Sequence, residues 1–246
     1  MIDSVEFFGT SMKGPLHRAQ RLANQDAWIG RRGSFGSLIV VCDGVGTKPH
    51  SSKGARMACL AAVDAVRKWS RACNAPTAYL AHLIEVLWRI RISPLEPRDC
   101  ATTCLLALRR DNGTWVVGGV GDGIAVTQSG QDEMQWVIGS TRQGFSNETE
   151  AMGFERTIKP WRFRTFDEDR NSRVVLLATD GISDDLIQER ATEFISWLIS
   201  MHSMGAKTPQ SNVLRRQLCN WPTKNHTDDK TLAVLFNNAA AHRKTE

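Results

Sequence analysis

Between Cys100 and Ile138 the chain passes through four short apolar runs, each closed by a turn signal, and this spacing constrains the fold more than anything else in the sequence. Cys100–Leu108, Thr114–Val120, Ile124–Gln128 and Gln135–Ile138 read as strands separated by Asp111-Asn112-Gly113, Gly121-Asp122-Gly123 and Ser129-Gly130. Connections this short join antiparallel neighbours, because a parallel neighbour needs a crossover of roughly a dozen residues or more. The run therefore predicts a meander of hairpins in an antiparallel sheet.

Further strands are predicted at Val5–Gly9, Ala27–Ile29, Ser37–Cys42, Arg173–Ala178 and Leu232–Phe236, with a polar loop over Ser11–Gln20. Helical spacing marks Ser51–Ala72, with Ser51 or Ser52 as N-cap, and a second helix opened by Pro76 and ended before Pro94. Asp185–Met201 and Gln210–Leu218 read as two more helices. Trp69, Trp88 and Trp197 fall on helix faces and read as packing. Strands and helices do not alternate one for one, so a layered α+β sandwich is expected rather than a doubly wound parallel sheet. Residues 139–170 show little periodicity, which in a compact domain marks a functional or mobile segment rather than a neutral one. Residues 237–246 read as a polar tail, and 1–246 as a single domain.

A chain of 246 residues can bury a full core without staples, and 41% hydrophobic with 23% charged residues is ordinary for a globular protein. The net charge of +5 is carried by scattered cations. Arg31-Arg32, Arg109-Arg110 and Arg215-Arg216 are isolated doublets, which suggests solvated faces rather than a nucleic-acid stripe. The six cysteines form no Cys-x-x-Cys pair, and Cys42 and Cys104 sit in apolar runs as small core residues. The first residues show no secretory pattern and no apolar stretch is long enough to span a bilayer. A cytoplasmic monomer with neither nucleic-acid nor membrane partner is expected.

The chemistry lies at the strand ends. Asp43-Gly44 follows Leu38–Val41, Asp180-Gly181 comes just after Val174–Leu177, Asn24-Gln25-Asp26 precedes Ala27–Ile29, and Asp228-Asp229 comes just before Leu232–Phe236. A carboxylate at the edge of a core is costly unless solvated, paired or metal-bound. Several together suggest a shared hard-cation site with oxygen ligands. Any one Asp-Gly is an ordinary turn; the joint pattern carries the weight.

That pattern is Arg21-x-x-Asn24-Gln25-Asp26, Asp43-Gly44-x-Gly46, Gly121-Asp122-Gly123, Ala178-Thr179-Asp180-Gly181-Ile182-x-Asp184 and Asp228-Asp229-x-Thr231. It resembles the PP2C-type (PPM) metal-dependent Ser/Thr protein phosphatases, in their compact bacterial branch, over about Arg21 to Phe236. The resemblance implies a four-layer α/β/β/α sandwich, two antiparallel β-sheets flanked by helices. It also implies in-line attack on phosphorus by a water or hydroxide bridging two divalent ions, Mn2+ or Mg2+. In that reading Asp43 bridges the ions, while the Gly44 carbonyl, Asp180 and Asp228 are further ligands. Arg21 binds phosphate, and Asp26 orients water from behind the ligands. Gln25 stands where some relatives carry Glu and keeps only its hydrogen bonds. Asp229 matches an Asn and braces its loop. Asp122 and Asp184, with Asp180, match a third and weaker metal site, although Gly121-Asp122-Gly123 replaces the common Gly-Asp-Ser-Arg. The implied substrate is a phosphorylated protein and the implied partner a Ser/Thr kinase. Residues 139–170 correspond to the family's flap, where Arg142, Arg156 and Arg162 either favour phosphate or face solvent.

Alternatives stay open at several points. His50 is either the acid that protonates the leaving alkoxide or a solvated loop residue. Lys230 either lies near phosphate or occupies a solvated edge. Asp43 after an apolar strand also resembles the covalent nucleophile of haloacid-dehalogenase-type phosphatases, which have a parallel sheet. A pseudophosphatase that binds a kinase or phosphoprotein is the non-enzymatic alternative.

Overall fold

The computed structural model describes residues 5–72, 75–130, 134–139, 150–154, 161–167, 172–204, 210–221 and 227–237. Its strands are β1 (Val5–Met12), β2 (Asp26–Gly33), β3 (Gly36–Asp43), β4 (Cys104–Arg109), β5 (Trp115–Val120), β6 (Ile124–Ser129), β7 (Gln135–Ile138), β8 (Arg162–Phe166), β9 (Arg173–Ala178) and β10 (Lys230–Asn237). The helices are α1 (Pro15–Ala19), α2 (Ser51–Trp69), α3 (Thr77–Ile92), α4 (Asp180–Ser183), α5 (Ala191–Met204) and α6 (Gln210–Cys219). One sheet has the order β1-β10-β9-β6-β7 and the other β2-β3-β4-β5-β8. Every pairing within both is antiparallel. This arrangement excludes the parallel-sheet alternative for Asp43.

Alternation along the strands builds three apolar layers. Leu38, Val40 and Cys42 of β3, with Cys104, Leu106 and Leu108 of β4, pack under α2 and α3. Leu176 and Ala178 of β9, with Leu232, Val234 and Phe236 of β10, pack under α5 and α6. The odd partners Ile39, Val41, Leu105, Ala107, Val175, Leu177, Ala233 and Leu235 meet between the sheets. Both faces of the central strands are therefore buried, which explains continuous apolar runs in an antiparallel fold. Among the described residues no helix is long and apolar enough to cross a membrane.

The α2 helix approaches its neighbours closely at Gly54, where a Cβ would lie 1.9 Å from the Cys100 carbonyl oxygen. The Gly54 carbonyl in turn accepts the Trp88 indole N–H at 3.0 Å. Gly54→Ala is expected to lower the unfolding free energy by about 2 kcal/mol, outweighing the roughly 1 kcal/mol that Ala gains in helix propensity. Urea unfolding measures the difference, and a neutral or stabilising result would contradict this packing.

Several elements differ from the sequence reading. The meander divides between the two sheets: β4 and β5 lie in one, β6 and β7 in the other. Gly121, at φ +139° with Thr103 packed against its Cα, turns the chain across. The strand expected from Cys100 begins at Cys104, after a single 3-10 turn at Pro97–Cys100. The polar loop Ser11–Gln20 contains α1, with Pro15 at its first position where a missing N–H costs nothing. Residues 139–170 contain β8, a largely exposed edge strand on β5, while Arg142 and Arg156 lie outside the described residues. The helix expected from Asp185 starts at Ala191, behind α4 and a 3-10 turn. Asn237 belongs to β10 rather than to a tail; it is buried, and its side-chain oxygen accepts the Arg173 N–H. The α2 N-cap is His50 rather than Ser51 or Ser52. Trp69 and Trp88 are buried as expected, but Trp197 stays 38% exposed beside Phe194. The arginine doublets are less isolated than they read: Arg32 lies over the Phe7 ring and Arg110 over Trp69.

Candidate active site

Asp26 and Asp43 are direct partners at the end of the β2–β3 ladder. Asp180 opens α4 just past β9, Asp228 sits just before β10, and Ala178 at the end of β9 pairs with Leu232 of β10. One end of the sandwich thus gathers carboxylates from both sheets, and their charges act on one another. Asp43 is pushed well above the usual carboxylate range by burial and then by Asp26 and Asp180, with Asp228 also contributing. Asp180 is raised to about 6 by burial, partly relieved by a hydrogen bond with the Asp43 side chain and raised further by Asp122, Asp228 and Asp184. Asp26 is raised to about 8, mainly by burial, against the stabilising hydroxyls of Thr231 and Thr179. Among the described residues, the buried Oδ1 of Asp180 has no hydrogen-bond partner.

The backbone around these groups is held by hydroxyls that the sequence reading passed over. Asp43 N–H donates to Thr103 Oγ1 at 2.8 Å, and its carbonyl accepts the Thr102 hydroxyl at 2.9 Å and the Thr103 N–H at 2.7 Å. Thr179 Oγ1 donates to Asp26 Oδ2 at 2.9 Å and accepts the Thr231 N–H at 3.1 Å. The Ser52 hydroxyl, instead of capping α2, donates to the Asn24 carbonyl at 2.8 Å. The one available signal for Thr102 and Thr103 is a polar β-branched pair directly before an apolar strand, which by itself does not reveal their backbone partner. Gly44 is needed for room, since a Cβ there would lie 2.6 Å from the Ser51 backbone. Gly181 is equally confined, since a Cβ there would lie 1.8 Å from the Asp229 carbonyl oxygen.

The remaining candidates take distinct positions. Arg21 is exposed and is the one non-glycine residue at positive φ, +57°, among the described residues. Gln25 is half-buried, and its carbonyl accepts the Gly44 N–H at 3.1 Å. Asp122 and Asp184 are exposed but close enough to raise Asp180. His50 is exposed at the start of α2, with its N–H on the Asp99 carbonyl at 2.9 Å; among the described residues its ring makes no hydrogen bond to the carboxylates. Asp229 is buried, accepting N–H groups from Gly14 and Gln25 at 2.6 Å each. His17, which the sequence reading missed, brings Nδ1 to 2.9 Å from Asp229 Oδ2. Ligand atoms of His17, Asp228 and Asp229 lie within 4.8 Å of one another. Both Asp229 oxygens already accept amides, so the grouping acts as a brace. Lys230 does not occupy a solvated edge: it is buried, its Nζ donates to the Asp228 carbonyl at 3.3 Å, and burial lowers its pKa. As the first residue of β10 it points back among Asp185, Asp228 and Asp229.

A family description, protein phosphatase 2C, matches residues 13–219. The chain belongs to the protein phosphatase 2C family. Solved structures of similar fold include Stp1, a serine/threonine phosphatase from Staphylococcus aureus, at 18% identity and TM-score 0.60, covering 96% of this chain and 95% of that one. The S. agalactiae serine/threonine phosphatase is 12% identical with TM-score 0.61, covering 94% and 99% respectively. The catalytic domain of PstP, solved with two manganese ions, is 14% identical with TM-score 0.59, covering 95% and 97%. No curated protein matches the sequence. At these identities the phosphatase 2C likeness of the structures concerns the fold, a sandwich of two antiparallel sheets between helices.

Proposed function

We propose that the chain is a metal-dependent protein Ser/Thr phosphatase that hydrolyses phosphomonoesters by in-line attack of water on phosphorus. The observation that carries this reading is the convergence of Asp26, Asp43, Asp180 and Asp228, with three of them raised far above their ordinary pKa. Carboxylates crowded in this way demand either protons or cations. The unpartnered Asp180 Oδ1 fits an oxygen-seeking divalent ion. Asp43, the Gly44 carbonyl, Asp180 and Asp228 would hold two Mn2+ or Mg2+ ions, with Asp122 and Asp184 completing a third site with Asp180. Bound divalent ions supply an activated water and charge to stabilise the transition state.

The protein's own groups do the rest. Arg21, exposed between α1 and β2, would offer a planar fork to two phosphate oxygens. Asp26, fixed by Thr179, orients the attacking water. Gln25 adds hydrogen bonding without charge, and Lys230 holds the Asp228 backbone. The substrate is a phosphorylated protein in the cytoplasm, opposed by a Ser/Thr kinase, and 1–246 acts as one phosphatase domain. The intact carboxylate set argues against a pseudophosphatase.

Hydrolysis of p-nitrophenyl phosphate and a phosphoserine peptide with Mn2+, with and without EDTA, tests the reading. Wild type is expected to be active only with metal, and Asp43→Ala to lose at least about 1,000-fold. Equal rates for the two proteins would sink it.

A further inference from the structure

The segment from Gly14 to Gln25 leaves the sheet, forms α1, turns at Arg21 and returns to β2. One side chain holds both of its ends. Asp229 Oδ1 accepts the Gly14 N–H and Oδ2 accepts the Gln25 N–H, each at 2.6 Å. His17, on α1 inside the loop, places Nδ1 2.9 Å from the same Oδ2, an ion-pair contact outside hydrogen-bond geometry. The Leu16 N–H adds a bond to the Thr227 carbonyl at 3.1 Å. His17 and Asp229 are 8% and 2% exposed, so water does not compete at this closure. Gly14 allows it, because a Cβ there would fall 2.3 Å from the Asp228 backbone. The closure continues inward through the Gln25 carbonyl, which accepts the Gly44 N–H at 3.1 Å.

Compact loops with nearby ends are shaped by what closes them. Here the closed loop presents Arg21 in a left-handed conformation that costs about 1–3 kcal/mol for a residue with a side chain and persists only when its surroundings over-determine it. A carboxylate suits this task because two amides converge on it, one on each oxygen, and its charge faces the His17 imidazole. Asn offers one acceptor oxygen, so its NH2 group would face a buried backbone N–H.

We propose that His17 and Asp229 are positioning residues: they clasp the 14–25 loop shut and set Arg21 in place for the substrate phosphate. The inference rests on the phosphatase reading for the role of Arg21. Neither residue touches phosphate, so opening the clasp weakens substrate capture more than the chemical step.

Steady-state kinetics on p-nitrophenyl phosphate at saturating Mn2+, for wild type, His17→Leu, His17→Asn, Arg21→Ala and the His17→Leu/Arg21→Ala double variant, tests the role. His17→Leu is expected to raise KM about 10-fold while kcat stays within about 3-fold. His17→Asn, which keeps an N–H donor close to the Nδ1 position, should restore KM. The double variant should be no worse than Arg21→Ala alone, as for residues acting in series. A fall in kcat with KM unchanged, or independent losses that multiply, would overturn the role. Hydrogen exchange reads the clasp without any activity: Asp229→Asn should speed exchange at the Gly14 and Gln25 amides, and unchanged protection would overturn the clasp. Wild type without metal-dependent hydrolysis would overturn the phosphatase reading and the role of Arg21 with it, leaving the exchange result to decide the closure itself.

Discussion

Asp26→Asn is expected to stabilise the metal-free protein at pH 8 and, in the same molecule, to slow metal-dependent hydrolysis roughly 10- to 100-fold. The Asp26 carboxyl is 6% exposed and its pKa rises from the ordinary 3.8 to about 8, chiefly through burial. A carboxyl raised on folding binds its proton more tightly in the native state than in the unfolded chain. Its contribution is therefore fully present below about pH 4 and is lost as pH rises toward 8. Asn has the same shape, carries no charge at any of these pH values, and keeps an oxygen for the Thr179 hydroxyl. Melting temperatures in EDTA should accordingly coincide near pH 4 and diverge by several degrees at pH 8, with the variant higher. The cost falls on function, because an amide cannot orient water as a carboxylate does. A variant less stable than wild type at pH 8 would show that Asp26 is not held against its charge.

Mn2+ is expected to raise the melting temperature of wild type, and by more at pH 8 than at pH 5. Asp43 and Asp180 both hold protons more tightly than an ordinary carboxylate, Asp180 with a pKa of about 6. Metal binding must displace those protons, so it weakens as pH falls through these values. Ligand that binds only the folded state stabilises it in proportion to the logarithm of its concentration over Kd. At pH 8 a cation also relieves the repulsion that destabilises the empty cluster, and the two effects have the same sign. Asp180→Ala removes the unpartnered Oδ1 and should abolish most of the shift. Differential scanning fluorimetry across a Mn2+ titration measures it; an equal shift in Asp180→Ala would remove Asp180 from the ligand set.

Much of this fold was legible because its central strands bury both faces. Leu38–Cys42, Val174–Ala178 and Leu232–Phe236 are apolar throughout, and turn residues bound the hairpins. What the one-dimensional pattern could not carry was partition: β4–β5 and β6–β7 are consecutive hairpins with the same local signals, yet they lie in opposite sheets. The step between them falls at Gly121, whose positive φ of +139° no apolar pattern encodes. The edge strand β8, with Arg162 and Arg164 facing outward, lacks the apolar density that marks a central strand. At the site the acidic residues were readable because charge at the end of an apolar run is conspicuous. His17, Thr102 and Thr103 were not, since each acts through a backbone group or carboxylate distant in sequence. Lys230 misled for the same reason: a lysine beside two aspartates reads as solvated, although here the lysine itself is buried.

The first and last strands, β1 and β10, lie side by side, and the order in which a ribosome delivers them matters. Asp26 and Asp43 emerge early, whereas Asp228 and the partner that completes β1 emerge only after β9. An unfinished chain therefore holds half a constellation and an unzipped edge. Closure of the β1 edge and completion of the carboxylate set thus wait on the same strand, β10.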